Sequence, residues 1–284
     1  LEEREMTNLA FEAPSPPAVN RLDRIIRRFR ATSYVTMVLL LYAIAATAIA
    51  VALTPAIALL FIAIEKTAQS QLLVRAIVVA FAAGAGFFLS GLALLLVVPI
   101  YNFVLPTRIR PFHGGYFTLA AVPWYLHNGL FYLVRFTFLP FVTFTPFGTF
   151  FLRAMGMKVG KRVHINTEYI SDPCLIALGD DCVLGGSVRI FAHYAGGGHL
   201  NIAPVMIGER ATIGEAATVM GDVVVGADAV ILPHSVLLPG SRVGNGERWG
   251  GVPARPISDE EMHELRRHIA LPEHRVTGDT TPIA

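Results

Sequence analysis

The string "VRIFAHYAGGGH" places an imidazole, His193, at the point where a regular pattern of the chain breaks down. A histidine with an ordinary pKa of about 6.5 can take a proton from a hydroxyl or an amine at neutral pH. A base of this kind works best when a carboxylate fixes its tautomer. Asp172 in "TEYISD" precedes His193 by about one structural repeat, and Glu168 lies close by. His199 and Tyr194 share the interrupted stretch with His193 and are candidates for contacts with a substrate. Of the nine histidines, His164 and His234 fall inside the regular pattern and read as packing or surface residues. Asp180 and Asp181 follow an inward-facing position and read as solvated.

The pattern that positions these residues has a period of six. Ile207, Ile213, Val219, Val225, Ile231, Leu237, Val243 and Trp249 recur at that interval, and Ala211, Ala217, Ala229, Ser235 and Ser241 stand four places after members of the series. Six matches neither the α-helix nor a lone strand. It suits a triangular β-solenoid in which each side takes six residues and each coil about 18. The apolar residue heads each side and points inward, and the small residue fits near a corner. Gly208, Gly214, Gly226 and Gly244 are expected at the bends between sides. The repeat begins near residue 156 with a one-residue slip at Ala177, loses its frame between Ala195 and Ile207 in a loop ejected from a corner, and ends near 257 after about five coils. Ser258 and Glu261 have capping-box spacing, so a short helix opens the final segment, 258–284.

The repeats follow a very apolar region. Hydrophobic residues make up 54% of the 284 and charged residues only 15%, which is too apolar for an ordinary soluble protein. No charge occurs between Arg30 and Glu65, nor between Arg75 and Arg108. Each run exceeds the roughly 20 residues needed to span a bilayer as helix, so 31–108 reads as two transmembrane helices. Five arginines lie in 21–30 of the N-terminal segment, 1–30, and Arg108 and Arg110 follow the second run. Arginine-rich flanks stay cytoplasmic, which makes the spans a hairpin in the cytoplasmic membrane and puts the repeats on the cytosolic side. The segment 109–155 is rich in Phe, Tyr and Trp and broken by Pro and Gly. It reads as interfacial aromatic helices, with a re-entrant pair around Arg135 as the alternative.

Other classes find no support. The net charge of +2 and the motifs present do not suggest nucleic acid, and Cys174 and Cys182, eight apart, lack metal-site spacing and read as small core residues in a reducing compartment. No metal, pyridoxal, flavin or dinucleotide site is implied, since the glycine strings belong to the hexads. A non-catalytic solenoid scaffold at the membrane is the remaining alternative class, but a scaffold gives no reason to break the frame at His193. The chain opens on Leu rather than Met, which suggests a segment of something longer.

The hexads, with the closing "GERWGGVPARPI", resemble the hexapeptide-repeat family of left-handed parallel β-helices, nearly all acyltransferases. The resemblance covers about 156–257. Two spans, an aromatic segment ending "FGTFFLRAMGMKVGKRVHINTEYISDP", and then the solenoid are similar to the membrane-embedded terminal region of certain nonribosomal peptide synthetases, poly-lysine synthetase among them. Those chains carry three such units in tandem where this one carries a single unit, which implies a homotrimer or one third of a longer pseudo-trimer. The resemblance implies a membrane-anchored acyltransferase moving an acyl group from a CoA or carrier-protein phosphopantetheine thioester, with no permanently bound cofactor, to a hydroxyl or amine of a small molecule. It also implies the alternative of a peptide-bond-forming terminal unit with an aminoacyl thioester donor. It puts the catalytic base at His193 and favours Asp172 as its carboxylate. The oxyanion needs a backbone donor, for which Gly214 is the candidate. Trp249, Arg242, Arg248 and Arg255 in the last coils of a neighbouring unit are candidates for the donor's pantetheine arm and phosphates.

Overall fold

The computed structural model describes residues 21–269. The expectations for the tails beyond those limits fall outside the described residues. A short basic helix, α1 (Arg21–Arg28), leads into α2 (Arg30–Lys66), and α3 (Leu72–Val104) returns antiparallel to it. At about 1.5 Å per residue both exceed the roughly 30 Å hydrocarbon thickness of a bilayer. They are long and apolar enough to cross a membrane by length and composition, each holding an 18-residue stretch of mean hydropathy 2.5 and 2.3 respectively. Most of their surface is not covered by protein, and Phe61, Phe81 and Phe103 are exposed. Small residues let the neighbours in. A side chain at Gly91 would meet the Phe138 ring, and one at Gly129 would meet Leu41.

The aromatic segment departs from expectation at its start. Phe112–Gly115 is a β-strand, β1, not an interfacial helix. Helices follow at α4 (Val122–Arg135), α5 (Leu139–Val142) and α6 (Pro146–Ala154). α4 buries Leu126, Leu130, Phe131 and Val134, and the last three join one apolar core that runs from Leu94, Leu95 and Val98 of α3 through Phe151 and Met155 into the solenoid.

The repeats wind as a three-sided β-solenoid of about five coils. One side stacks the strands Lys158–Val159, Ile176–Leu178, Val205–Ile207, Val223–Val225 and Arg242–Val243. The other two sides are equally parallel until the last strand of one, Arg255–Pro256, turns back antiparallel. Successive coils are in register at 18 residues: Val205 opposes Val223, Thr212 opposes Val230, Thr218 opposes Val236. The inward residues Ile213, Val219, Val225, Ile231 and Leu237 are fully buried, as are Ala211, Ala217, Ala229 and Ser235, while Trp249 is only partly covered at the end of the prism. Lys158 opposes Ala177 and His164 opposes Val183, one residue more than the period, as the slip near Ala177 requires.

The segment expected as an ejected loop is ordered. Ile176 opposes Val205, eleven residues beyond the period, and the surplus forms a hairpin of β2 (His193–Gly196) and β3 (His199–Ile202). Its two-residue turn, Gly197–Gly198, has φ of +57° and +82°, the backbone that a tight hairpin turn demands. β3 would leave a bare edge, and β1 pairs with it antiparallel, making a three-stranded sheet that ties the membrane-proximal segment to the excursion. The end of the repeat domain is capped as expected: the Glu261 amide donates to Ser258 Oγ at 3.2 Å, and α7 (Asp259–Ile269) follows.

The glycines serve a different purpose from the one assigned by pattern. The corner residues in the left-handed region are Arg210, Ala216, Asp222, Asp228, His234, Gly240 and Gly246, six apart, with φ between +55° and +84°. His234 is therefore a corner residue and not one on a side. Gly208, Gly214 and Gly226 have no such dihedral. A Cβ on Gly208 would lie 2.6 Å from the Ala227 amide nitrogen, and one on Gly214 2.6 Å from Pro233 N. These positions are glycine because the next coil stacks against them. Gly208→Ala is accordingly expected to cost about 1–3 kcal/mol through overpacking. Gly196→Ala, which would meet nothing within 4 Å, should stay within about 0.5 kcal/mol. Thermal unfolding of the full chain in detergent separates the two.

Candidate active site

Asp172 and His193 meet at the corner where the hairpin leaves the solenoid. Asp172 closes the turn after the strand Ile170–Ser171 in a left-handed conformation, φ +58°, which Asp tolerates better than most residues. Its side chain is fully buried. His193 opens β2, and its Nδ1 lies 2.5 Å from Asp172 Oδ2 with the imidazole about one-fifth exposed. With Nδ1–H donated to the carboxylate, Nε2 is the acceptor nitrogen. It has no hydrogen-bond partner among the described residues.

The other carboxylate oxygen is held from outside the solenoid. Asn128 Nδ2 on α4 donates to Asp172 Oδ1 at 2.7 Å and also to the Trp124 carbonyl at 3.1 Å. One turn earlier on the same helix, the Trp124 ring stands edge-on to His193 with centroids 5.1 Å apart. One turn later, Tyr132 Oη lies 3.1 Å from Ser171 Oγ, and buried Arg135 donates to that oxygen at 3.3 Å while its guanidinium packs over Tyr132, Phe136 and Tyr169. Residues 124, 128, 132 and 135 share a helix face by their three- and four-residue spacing. That face clamps the Ser171–Asp172 turn. A buried carboxylate is tolerable only when hydrogen-bonded or paired, and both oxygens of this one accept hydrogen bonds.

Neighbouring groups are chemically quiet. Burial lowers the His127 pKa to about 4, so this ring, bonded through Nδ1 to Asn102 Oδ1, stays neutral. Burial pushes the Cys174 and Cys182 thiols up to about 12, which suits packing and not nucleophilic attack.

The remaining sequence candidates divide. Tyr194 is half-buried opposite Asn201 on β3. His199 is exposed at the hairpin tip, stacked on His113 of β1 with centroids 5.5 Å apart. Glu168 is half-buried, and its carboxylate makes no hydrogen bond among the described residues, so it takes no part in holding His193. The Gly214 amide donates to the Ile231 carbonyl at 2.8 Å, as the coil ladder requires, and is not free for an oxyanion. The last-coil arginines are not free cations either. Arg242 pairs with Asp222, Arg248 with Asp259, and Arg255 with Glu261, while Trp249 Nε1–H donates to Glu247 at 2.8 Å. Trp124 and Asn128 were not singled out from sequence. Their one trace there is the helical spacing of 124, 128, 132 and 135, which names a face without naming what it faces.

No family model matches the sequence, and no curated protein matches it. Among solved structures the chain is similar to a hexapeptide-repeat acetyltransferase from Vibrio cholerae, at 14% identity and a TM-score of 0.38 over 46% of this chain and 89% of that one. It is similar to a galactoside acetyltransferase in complex with coenzyme A, at 16% identity and a TM-score of 0.40 over 55% and 91%. A third likeness is to perosamine N-acetyltransferase from Caulobacter crescentus in complex with CoA and GDP-perosamine, at 22% identity and a TM-score of 0.28; it covers 37% of this chain, which spans about half, 51%, of that protein. These likenesses are partial, and the chemistry of this chain rests on its own residues.

Because Asn128 and His193 share one buried carboxylate, Asn128→Ala is expected to cost about 1–3 kcal/mol by leaving an oxygen without its donor. In an Asp172→Asn background the same substitution should cost much less. A double-mutant cycle on thermal stability reads the coupling, and equal costs in both backgrounds would refute it.

Proposed function

We propose that this chain is a membrane-anchored acyltransferase with His193 as general base and Asp172 as the carboxylate that orients it. The observation that carries the reading is the Nδ1–carboxylate bond at 2.5 Å beside an imidazole whose Nε2 is unpartnered and partly open. An acceptor hydroxyl or amine hydrogen-bonds Nε2 and loses its proton to it as its oxygen or nitrogen attacks a thioester carbonyl. The carbonyl oxygen takes up the electron pair and negative charge. Collapse of the tetrahedral intermediate breaks the C–S bond, and the departing thiolate recovers the proton from Nε2. Asp172 stays ionised throughout, holding the tautomer and stabilising the imidazolium.

The donor is a thioester of coenzyme A or of carrier-borne phosphopantetheine. The solenoid is a left-handed β-helix, α2 and α3 are a transmembrane hairpin, and the solenoid lies on the cytosolic side, as the arginines flanking both helices support. The bilayer also accounts for the large apolar side chains that α2 and α3 leave uncovered. Threefold assembly, or tandem units in a longer chain, supplies the donor groove and the oxyanion donor at His193.

With acetyl-CoA as donor and hydroxylamine as surrogate acceptor, release of free thiol measures transfer. His193→Ala is expected to lower kcat/KM by about 10²–10⁴-fold, and Asp172→Asn by at least about tenfold through the wrong tautomer. A His193→Ala chain as active as the parent removes the assignment.

A further inference from the structure

The segment joining α3 to β1 walls a second cavity beside the dyad. It has a volume of about 460 Å³, and its lining includes Trp124, Ile202, Arg108, Arg110 and His113. Trp124 and Ile202 belong to the His193 neighbourhood: Trp124 packs on the imidazole, and Ile202 is the cross-strand partner of His193 on β3.

The charge of this cavity is one-sided. None of its lining residues is Asp or Glu. Arg108 and Arg110 are exposed, and neither makes an ion pair or side-chain hydrogen bond among the described residues. Most of the solenoid's arginines are treated differently: Arg162, Arg210, Arg242, Arg248 and Arg255 are each matched to a carboxylate, while Arg189 packs over the Tyr169 ring. His113 also lines the cavity, but its imidazole is bonded through Nδ1 to Asn201 Oδ1 and stacked on His199, on the sheet face opposite Ile202. The buried Trp124 indole N–H has no acceptor among the described residues. Two guanidinium forks without a counter-charge, beside that indole, match a phosphate or pyrophosphate group, whose oxygens take paired N–H donors.

We propose that this cavity binds the phosphate or pyrophosphate group of the acceptor substrate and so delivers the acceptor's nucleophile to His193 Nε2. The proposal rests on the reading of His193 as the base. The cavity lies at the end of α3, and its volume exceeds what a phosphate needs, which leaves room for the group that carries the nucleophile. The same chemistry is offered by a phospholipid-like headgroup entering from the bilayer and by a soluble phosphorylated acceptor.

The test uses the full chain in phosphatidylcholine nanodiscs with Trp249→Phe, which leaves Trp124 as the one tryptophan of the two in the sequence. Inorganic pyrophosphate is titrated into the aqueous phase and, separately, phosphatidic acid into the bilayer. A saturable change in Trp124 emission is expected from at least one probe. Response to phosphatidic acid alone assigns a lipid source, and response to pyrophosphate alone a soluble one. Arg108→Gln with Arg110→Gln should weaken the response at least about tenfold, the loss expected for one or two charge-assisted contacts. Arg108→Lys with Arg110→Lys, which keeps the charge and loses the fork, should fall between. Arg24→Gln with Arg28→Gln removes equal charge from the basic flank of the first helix and should leave the response unchanged. Silence of Trp124 to both probes overturns the proposal, and so does equal weakening by the Arg24/Arg28 pair. The readout needs no turnover, so the two readings fail separately. Retained transfer in His193→Ala removes the base alone, whereas a silent Trp124 with His193-dependent transfer removes the phosphate site alone.

Discussion

The buried carboxylate of Asp172 is the interaction on which the arrangement turns. An ionised group without solvent must have its oxygens met by donors, and here the two oxygens are met from two different parts of the chain, the His193 imidazole of the hairpin and the Asn128 amide of α4. The helix therefore cannot shift along the solenoid without stripping a donor from a buried charge. The same demand sets the histidine tautomer, since Nδ1 must carry the proton that Asp172 accepts, and Nε2 is left to a substrate. One electrostatic requirement thus joins the docking of the aromatic segment to the availability of the imidazole nitrogen.

Around that point the fold divides rigid parts from added ones. The solenoid is rigid because successive coils approach closely enough to forbid a Cβ at Gly208 or Gly214, and because its interior is filled with Ile, Val and Leu at full burial. The hairpin is an insertion into one corner, closed at its base by the Ala203 amide donating to the Ala192 carbonyl at 2.9 Å. β1 then covers the hairpin's free edge, so the chain just after the apolar helices and the chain from His193 onward belong to one small sheet. Through this sheet and through α4, a segment adjoining the apolar helices reaches the dyad by two routes.

The reading of the residues succeeded where periodicity carried information and failed where one dihedral or one hydrogen bond decided. Gly208 and its counterparts stood at regular places, but sequence could not tell a bend glycine from a stacking glycine. The bends went instead to residues such as Arg210 and Asp228, held at positive φ by the coil. Gly214 seemed open to an oxyanion until its amide was found in the ladder. Arg242, Arg248 and Arg255 carried charge, but their acidic partners came from neighbouring coils and from α7.

What the sequence determined by itself was the solenoid and the placing of Asp172 and Glu168 about one coil from His193, because a repeat of fixed length turns distance along the chain into position on a prism. It also determined the two long apolar helices, because length and hydropathy are local properties. Only the tertiary structure decided that Asn128 and Trp124 belong to the site and that Glu168 does not, and it alone turned the frame break into a hairpin with β1 on its edge. Those contacts join segments with no common period, and their geometry is set by burial of a charge and completion of a sheet edge, neither of which is written in any one stretch of residues.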